Sequence, residues 1–150
     1  MNMPAHDTIR LTQHVDASVA DVWKAYADSD ARARWSVPAG EEMVYDQSEF
    51  REGGHDRYRC GPPETLDFHA ETEYTRIVPN ELVVYTETVK NEGLPLATGL
   101  VTWEFKPAGN GTLVTLTSQA VSFVGTGMID GNRNGHTKAL EQLSRHLADA

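Results

Sequence analysis

The sequence predicts an α+β fold: one antiparallel sheet, helices segregated to one side of it, and a long helix at the C-terminus. Three features of the 150 residues lead there. Seven short segments alternate apolar and polar residues with period two, helical spacing follows the first of them, and an apolar stripe at helical spacing closes the chain. In residues 7–15 (DTIRLTQHV), Ile9, Leu11, Gln13 and Val15 alternate with Thr8, Arg10, Thr12 and His14, which describes a strand with one covered face. Ser18 then stands three residues before Asp21 as a helix cap, and Val19, Val22, Trp23 and Tyr26 recur at helical spacing. Residues 31–35 add a second short helix, which Pro38 ends by disfavouring helix at Val37.

Six strands follow. Residues 43–50 and 55–59 flank Gly53-Gly54, a dipeptide expected to supply the positive φ angles of a tight hairpin. Residues 68–78 and 82–89 flank Pro79-Asn80-Glu81, while 98–106 and 112–122 flank a turn in which Asn110-Gly111 is the strongest hairpin signal. Short turns between successive strands make an antiparallel meander. His136, Leu140, Leu143 and Leu147 then form a stripe on one face of a helix expected to start between residues 130 and 134. Gly131 and Gly135 each cost that helix about 1 kcal/mol relative to alanine, so an irregular first turn is expected. A long helix lying on a strongly curved sheet leaves space between the layers, and function is expected there.

At 16.6 kDa the chain has the size of one domain, which buries about 68–70% of its unfolded surface. No apolar run approaches the roughly 18 residues of a membrane span, which speaks against membrane insertion. The first residues lack a basic segment followed by an apolar one, so the expected location is cytoplasmic. A net charge of −9 repels phosphate backbones and excludes nucleic acid as the expected partner. Cys60 is the single cysteine, so neither an internal disulfide nor a CxxC zinc site is expected.

Several local motifs resemble the START-like (SRPBCC, helix-grip) superfamily, and within it the subgroup related to the activator of the heat-shock 90 chaperone ATPase. They are residues 17–23 (ASVADVW), 34–38 (RWSVP), 50–54 (FREGG) with Tyr58, 77–85 (IVPNELVVY) and 111–116 (GTLVTL). The resemblance covers nearly the whole chain. It implies a seven-strand curved sheet wrapped around the C-terminal helix, with a pocket for an apolar or amphipathic molecule between them. One departure stands out: many bacterial members have Gly-Trp near the start of the last helix, where this chain has Gly135-His136.

A pocket of this kind takes aromatic and apolar lining with a few orienting polar groups. The candidate ligand-binding residues are Trp35, Tyr58, Tyr74, Tyr85, Trp103, Phe105, Phe123, Met128 and His136. Alternation in residues 101–106 turns Trp103 and Phe105 inward. His69, Glu71 and Glu73 share one strand face, a potential metal or proton-transfer set. The opposite face, with Phe68, Ala70, Thr72 and Tyr74, is the more apolar, which sends the acidic set to solvent; if Thr75 and Ile77 mark the buried side, Glu71 and Glu73 enter the pocket instead. Cys60 falls in an expected turn, where Arg57 and Arg59 could activate it. Gly125-Thr126-Gly127 lacks the strand and helix of a dinucleotide fingerprint and reads as the lead-in to the last helix, near the pocket mouth. Neither a cofactor nor a metal is implied.

The leading reading is a cytoplasmic binding module for a small hydrophobic or aromatic molecule, with a homodimer left open. The alternative is a cyclase- or hydrolase-type enzyme using His136 with Glu71, Glu73 or Tyr85 as acid and base. A chaperone accessory role, implied only by the subgroup's name, ranks last, because the chain has the length of one domain.

Overall fold

A computed structural model describes residues 3–148. The first strand, β1 (Ala5–Val15), runs into two short helices, α1 (Val19–Ala27) and α2 (Ser29–Trp35). Six strands follow: β2 (Glu42–Ser48), β3 (His55–Gly61), β4 (Phe68–Val78), β5 (Leu82–Asn91), β6 (Leu94–Ala108) and β7 (Gly111–Ser122). Helix α3 (Gly127–Ala148) follows β7. The sheet is antiparallel throughout, in the order β1-β7-β6-β5-β4-β3-β2. Helices α1 and α2 therefore carry the chain from one edge of the sheet to the other, and the meander returns until β7 pairs with β1. Helix α3 packs on β1 and β7 and against both short helices, the helix-grip arrangement of the α+β class.

Local chemistry sets the helix ends. The Ser18 hydroxyl accepts from the Asp21 N–H at 3.2 Å and caps α1, and Asp28 does the same for α2 through the Asp30 N–H at 3.0 Å. Helix α3 starts earlier than the 130–134 expected from the stripe, because the Thr126 carbonyl accepts from the N–H groups of Ile129 and Asp130. Ile129, with Ile9 and Ala120, makes a satellite cluster that seats this first turn.

The turns correct two expectations. Only Gly53 of the Gly53-Gly54 pair has positive φ (79°); Gly54 is required because a Cβ there would lie 2.2 Å from the Glu49 carbonyl oxygen. In the β6–β7 hairpin the two turn residues are Gly109 and Asn110, since Ala108 pairs with Gly111. Positive φ falls on Gly109 (59°), the pattern of a type II′ turn, so the Asn110-Gly111 reading is one residue out of step.

The register of β4 shifts between Tyr74 and Arg76, a bulge that leaves Thr75 without a partner on β5. Before it, Ala70, Thr72 and Tyr74 are buried and His69, Glu71 and Glu73 are exposed; after it, Ile77 turns back to pack on the core. The alternative face, marked by Thr75 and Ile77, is not the buried one: Thr75 is exposed, and only Ile77, beyond the bulge, turns inward. Glu71 and Glu73 leave the candidate site. They pair loosely across the surface with Arg57 at 3.9 Å and His55 at 3.8 Å.

Candidate functional site

Between the inner faces of β3, β4 and β5 and helices α2 and α3 lies a cavity of about 80 Å³. All five tyrosines of the chain line it: Tyr26, Tyr45, Tyr58, Tyr74 and Tyr85. Trp35, Trp103 and His136 complete the ring-bearing wall. The rings pack edge to face or tilted, with Tyr26 and Trp103 centroids 5.0 Å apart and Trp35 and Trp103 5.9 Å apart. Burial raises all five phenols, Tyr45 up to about 12, so each remains an O–H group at neutral pH.

The wall also holds charge. Arg32, 4% exposed on α2, and Asp56, 2% exposed on β3, form an ion pair at 3.1 Å. The Arg32 guanidinium further donates from Nε to the Tyr45 hydroxyl at 2.7 Å and from Nη1 to the Tyr26 carbonyl at 2.8 Å. It lies over the Tyr26 and Tyr45 rings at 5.3 and 5.1 Å, so its flat faces meet π density while its edge meets oxygen. Asp56 Oδ2 also accepts from the Tyr74 hydroxyl, and Oδ1 from the Glu49 N–H at 3.2 Å. Both oxygens of this carboxylate are hydrogen-bonded and one is ion-paired, which is the condition under which a buried charge is tolerated.

Glu87 is the second carboxyl of the wall. On β5, Val83 and Tyr85 face inward, and alternation carries Glu87 to the same side. Its Oε2 accepts from the Thr72 hydroxyl at 3.2 Å. Burial raises its pKa above the usual carboxylate range, against hydrogen bonds from Tyr58 and Thr72 that pull it down. No basic side chain among the described residues forms an ion pair with it.

His136 stands on α3 with its Nδ1 buried and without a hydrogen-bond partner, the one such side-chain atom among the described residues. Burial lowers its pKa to about 4, so the imidazole is neutral at pH 7. Above the cavity, Trp103 Nε1 donates to the Tyr85 hydroxyl at 3.2 Å, and Gln142 Nε2 on α3 donates to the Trp35 carbonyl at 2.7 Å, tying the long helix to the end of α2.

Of the residues expected to bind a ligand, Trp35, Tyr58, Tyr74, Tyr85, Trp103 and His136 line this one cavity. Phe105 is buried but stands behind the wall, edge-on to Trp23 at 5.5 Å and near Tyr26 at 5.8 Å. Phe123 lies beyond the end of β7 and is 42% exposed, and Met128 sits in the first turn of α3 away from the cavity. The Gly125-Thr126-Gly127 segment is likewise remote from it. Cys60 sits in β3 and not in a turn. The sheet separates it from the side chains that were to activate it, since Arg59 is bound to Asp46 at 2.9 Å on the other face, and burial pushes the thiol up to about 12.

Arg32, Asp56 and Glu87 were not anticipated. For Glu87 a signal existed: the Val83-Tyr85-Glu87 alternation places it inside once Tyr85 is read as inward. Arg32 and Asp56 are 24 residues apart on different elements, and no period in the sequence couples them.

The fold and the cavity between its sheet and helices define a helix-grip protein. A protein of Rhizobium leguminosarum, titled putative uncharacterised, superposes with a TM-score of 0.87 at 24% identity, over 99% of this chain and 98% of that one. Mll3558 of Rhizobium loti gives 0.82 at 25% identity over 97% and 99%, and CV1439 of Chromobacterium violaceum 0.81 at 23% over 92% and 94%. A comparison with curated proteins finds no match. The family model described as "Activator of Hsp90 ATPase homolog 1-like protein" matches residues 16–148, and the chain belongs to that family. Membership supports a small-molecule-binding module in general. No helix among the described residues is long and apolar enough to cross a membrane.

Proposed function

We propose that the protein binds a compact small molecule in the cavity between the sheet and α3, without covalent chemistry. The observation that carries this is the buried, unpartnered Nδ1 of His136 on the helix that closes a ring-lined cavity. A buried polar atom left unpaired costs roughly 1–3 kcal/mol, and a bound polar group removes that cost. The expected hydrophobic or aromatic ligand is narrowed by the wall. Pockets for drug-sized ligands run to about 300–1,000 Å³, so a cavity of about 80 Å³ suits a few heavy atoms and excludes a long acyl chain in this conformation.

The indole N–H resonances of Trp35 and Trp103, whose donors are bound to the Ala25 carbonyl and the Tyr85 hydroxyl, report on two neighbouring rings of the wall. Titration with small aromatic, aliphatic and amphipathic probes is expected to shift both resonances for at least one class. Failure of every class to bind below millimolar concentration would count against the reading.

A second reading, acid–base catalysis by His136 with a carboxylate, is favoured by one observation: Glu87 reaches the same cavity, where Glu71 and Glu73 do not. It requires that His136→Gln abolish turnover of a substrate that the native protein converts, and unchanged turnover refutes it.

A further inference from the structure

We propose that the cavity is selective for a compact organic ammonium group, with Glu87 as its counter-charge and the surrounding rings as its cage. The inference rests on the binding reading above and specifies its ligand.

The buried charges decide the sign. One guanidinium, Arg32, faces two carboxyls, Asp56 and Glu87. Arg32 is committed to Asp56 at 3.1 Å, to the Tyr45 hydroxyl and to the Tyr26 carbonyl, and its charge is balanced by the first of these. His136 contributes no charge at neutral pH. Glu87 remains, held by the neutral hydroxyls of Thr72 and Tyr58 and without an ion-pair partner among the described residues. At neutral pH the set is therefore neutral with Glu87 protonated and carries one negative charge with it ionised; it is not positive. An anion would enter against Asp56, Glu87 and the chain's net charge of −9.

The lining favours a cation over a neutral guest for a separate reason. Tyr58, Tyr85, Trp35 and Trp103 line the cavity, and a cation over the face of such a ring is attracted by it, most strongly when desolvated. Arg32 already uses this attraction on the Tyr26 and Tyr45 rings. An ammonium between the remaining rings and Glu87 satisfies the carboxylate that the protein itself leaves unpaired.

Three probes sharing one skeleton isolate charge: tert-butylammonium, tert-butanol and pivalate, each titrated against the native protein and read on the indole N–H resonances of Trp35 and Trp103. The expected order is ammonium tighter than alcohol by about tenfold or more, with pivalate weakest. In Glu87→Gln, whose folding is checked by its urea midpoint, the preference for ammonium over alcohol is expected to fall to about twofold or less. Alcohol or pivalate binding as tightly as the ammonium overturns the inference and leaves the binding reading intact. So does a preference that survives in Glu87→Gln. If none of the three binds, the ammonium inference falls; if no class of small molecule binds, the broader reading falls with it. Should Glu87→Gln not fold, the order among the three probes on the native protein still decides.

Discussion

Asp56→Asn separates charge from shape at the centre of the cavity wall. The substitution is isosteric, so no void opens and the cost comes from electrostatics and hydrogen bonds alone. Asp56 Oδ2 receives Arg32 and the Tyr74 hydroxyl, and Oδ1 receives the Glu49 N–H. All three partners are donors. Whichever way the asparagine amide is turned, its NH₂ faces one of them, and Arg32 is left as a buried cation without a counter-charge. Removing one member of a buried pair costs about 3–5 kcal/mol, and an unmade buried hydrogen bond about 1–3. The two overlap, so a loss of about 4 kcal/mol is expected, a large share of the roughly 5–15 kcal/mol that holds a domain together. Urea unfolding followed by far-UV circular dichroism measures it, with an unchanged slope showing that the unfolded state is the same. Arg32→Met removes the other charge, and the double variant is expected to cost less than the sum of the singles by about 2 kcal/mol, since it leaves neither charge alone. A loss under about 1 kcal/mol in Asp56→Asn, or additive singles, would refute the claim that this pair is a mutually dependent buried charge set.

Four other outcomes follow from the same geometry. His136 has a folded pKa of about 4 against an ordinary 6.5, so the unfolded chain binds more protons between those values; its contribution to stability is complete above pH 6.5 and is lost as pH falls toward 4, by roughly 3 kcal/mol, and the native protein and His136→Leu should diverge across that window in urea titrations. Glu87 has the opposite sign, because its raised folded pKa gives stability that is present below the ordinary carboxylate range and lost as pH rises through the raised value; Glu87→Gln should abolish that decline. The thiol of Cys60, pushed up to about 12 by burial, should react with iodoacetamide far more slowly in the native protein than in urea, and equal rates would contradict its placement on the inner face of β3. Gly54→Ala puts a Cβ against the backbone of Glu49, with an expected cost of about 1–3 kcal/mol in thermal or urea unfolding; a neutral result would show that the loop before β3 yields freely.

The strands, the short helices and the stripe of α3 were legible because each rests on local periodicity. Val22 and Tyr26, or Leu140 and Leu143, declare their shared face within two helical turns. The aromatic side of the cavity was legible for the same reason, since Tyr74, Tyr85 and Trp103 sit at inward positions of alternating strands. Its charged side was hidden. Periodicity assigns Arg, Asp and Glu to solvent, and only the ion pair that joins Arg32 to Asp56 across 24 residues shows why both are inside. The β4 bulge defeated the choice between faces because period two assumes an unbroken ladder. Phe123 and Met128 were misplaced by composition alone: both are large and apolar, yet they lie where β7 has already left the sheet.

The pairing of β1 with β7 bears on how the chain reaches this state. Ala5 lies opposite Ser122 and Val15 opposite Thr112, so the ladder joins segments separated by 122 − 5 = 117 residues at one end and 112 − 15 = 97 at the other. Contacts of such separation form late and slow folding, because the chain between them must be ordered before they yield any return. During synthesis the first strand emerges with Ile9 and Val15 uncovered and stays without its neighbour until β7 has been made. Although β1 precedes the other six strands in the sequence, it is thus expected to be among the last of them to find its place, and its pairing with β7 extends the sheet at that edge.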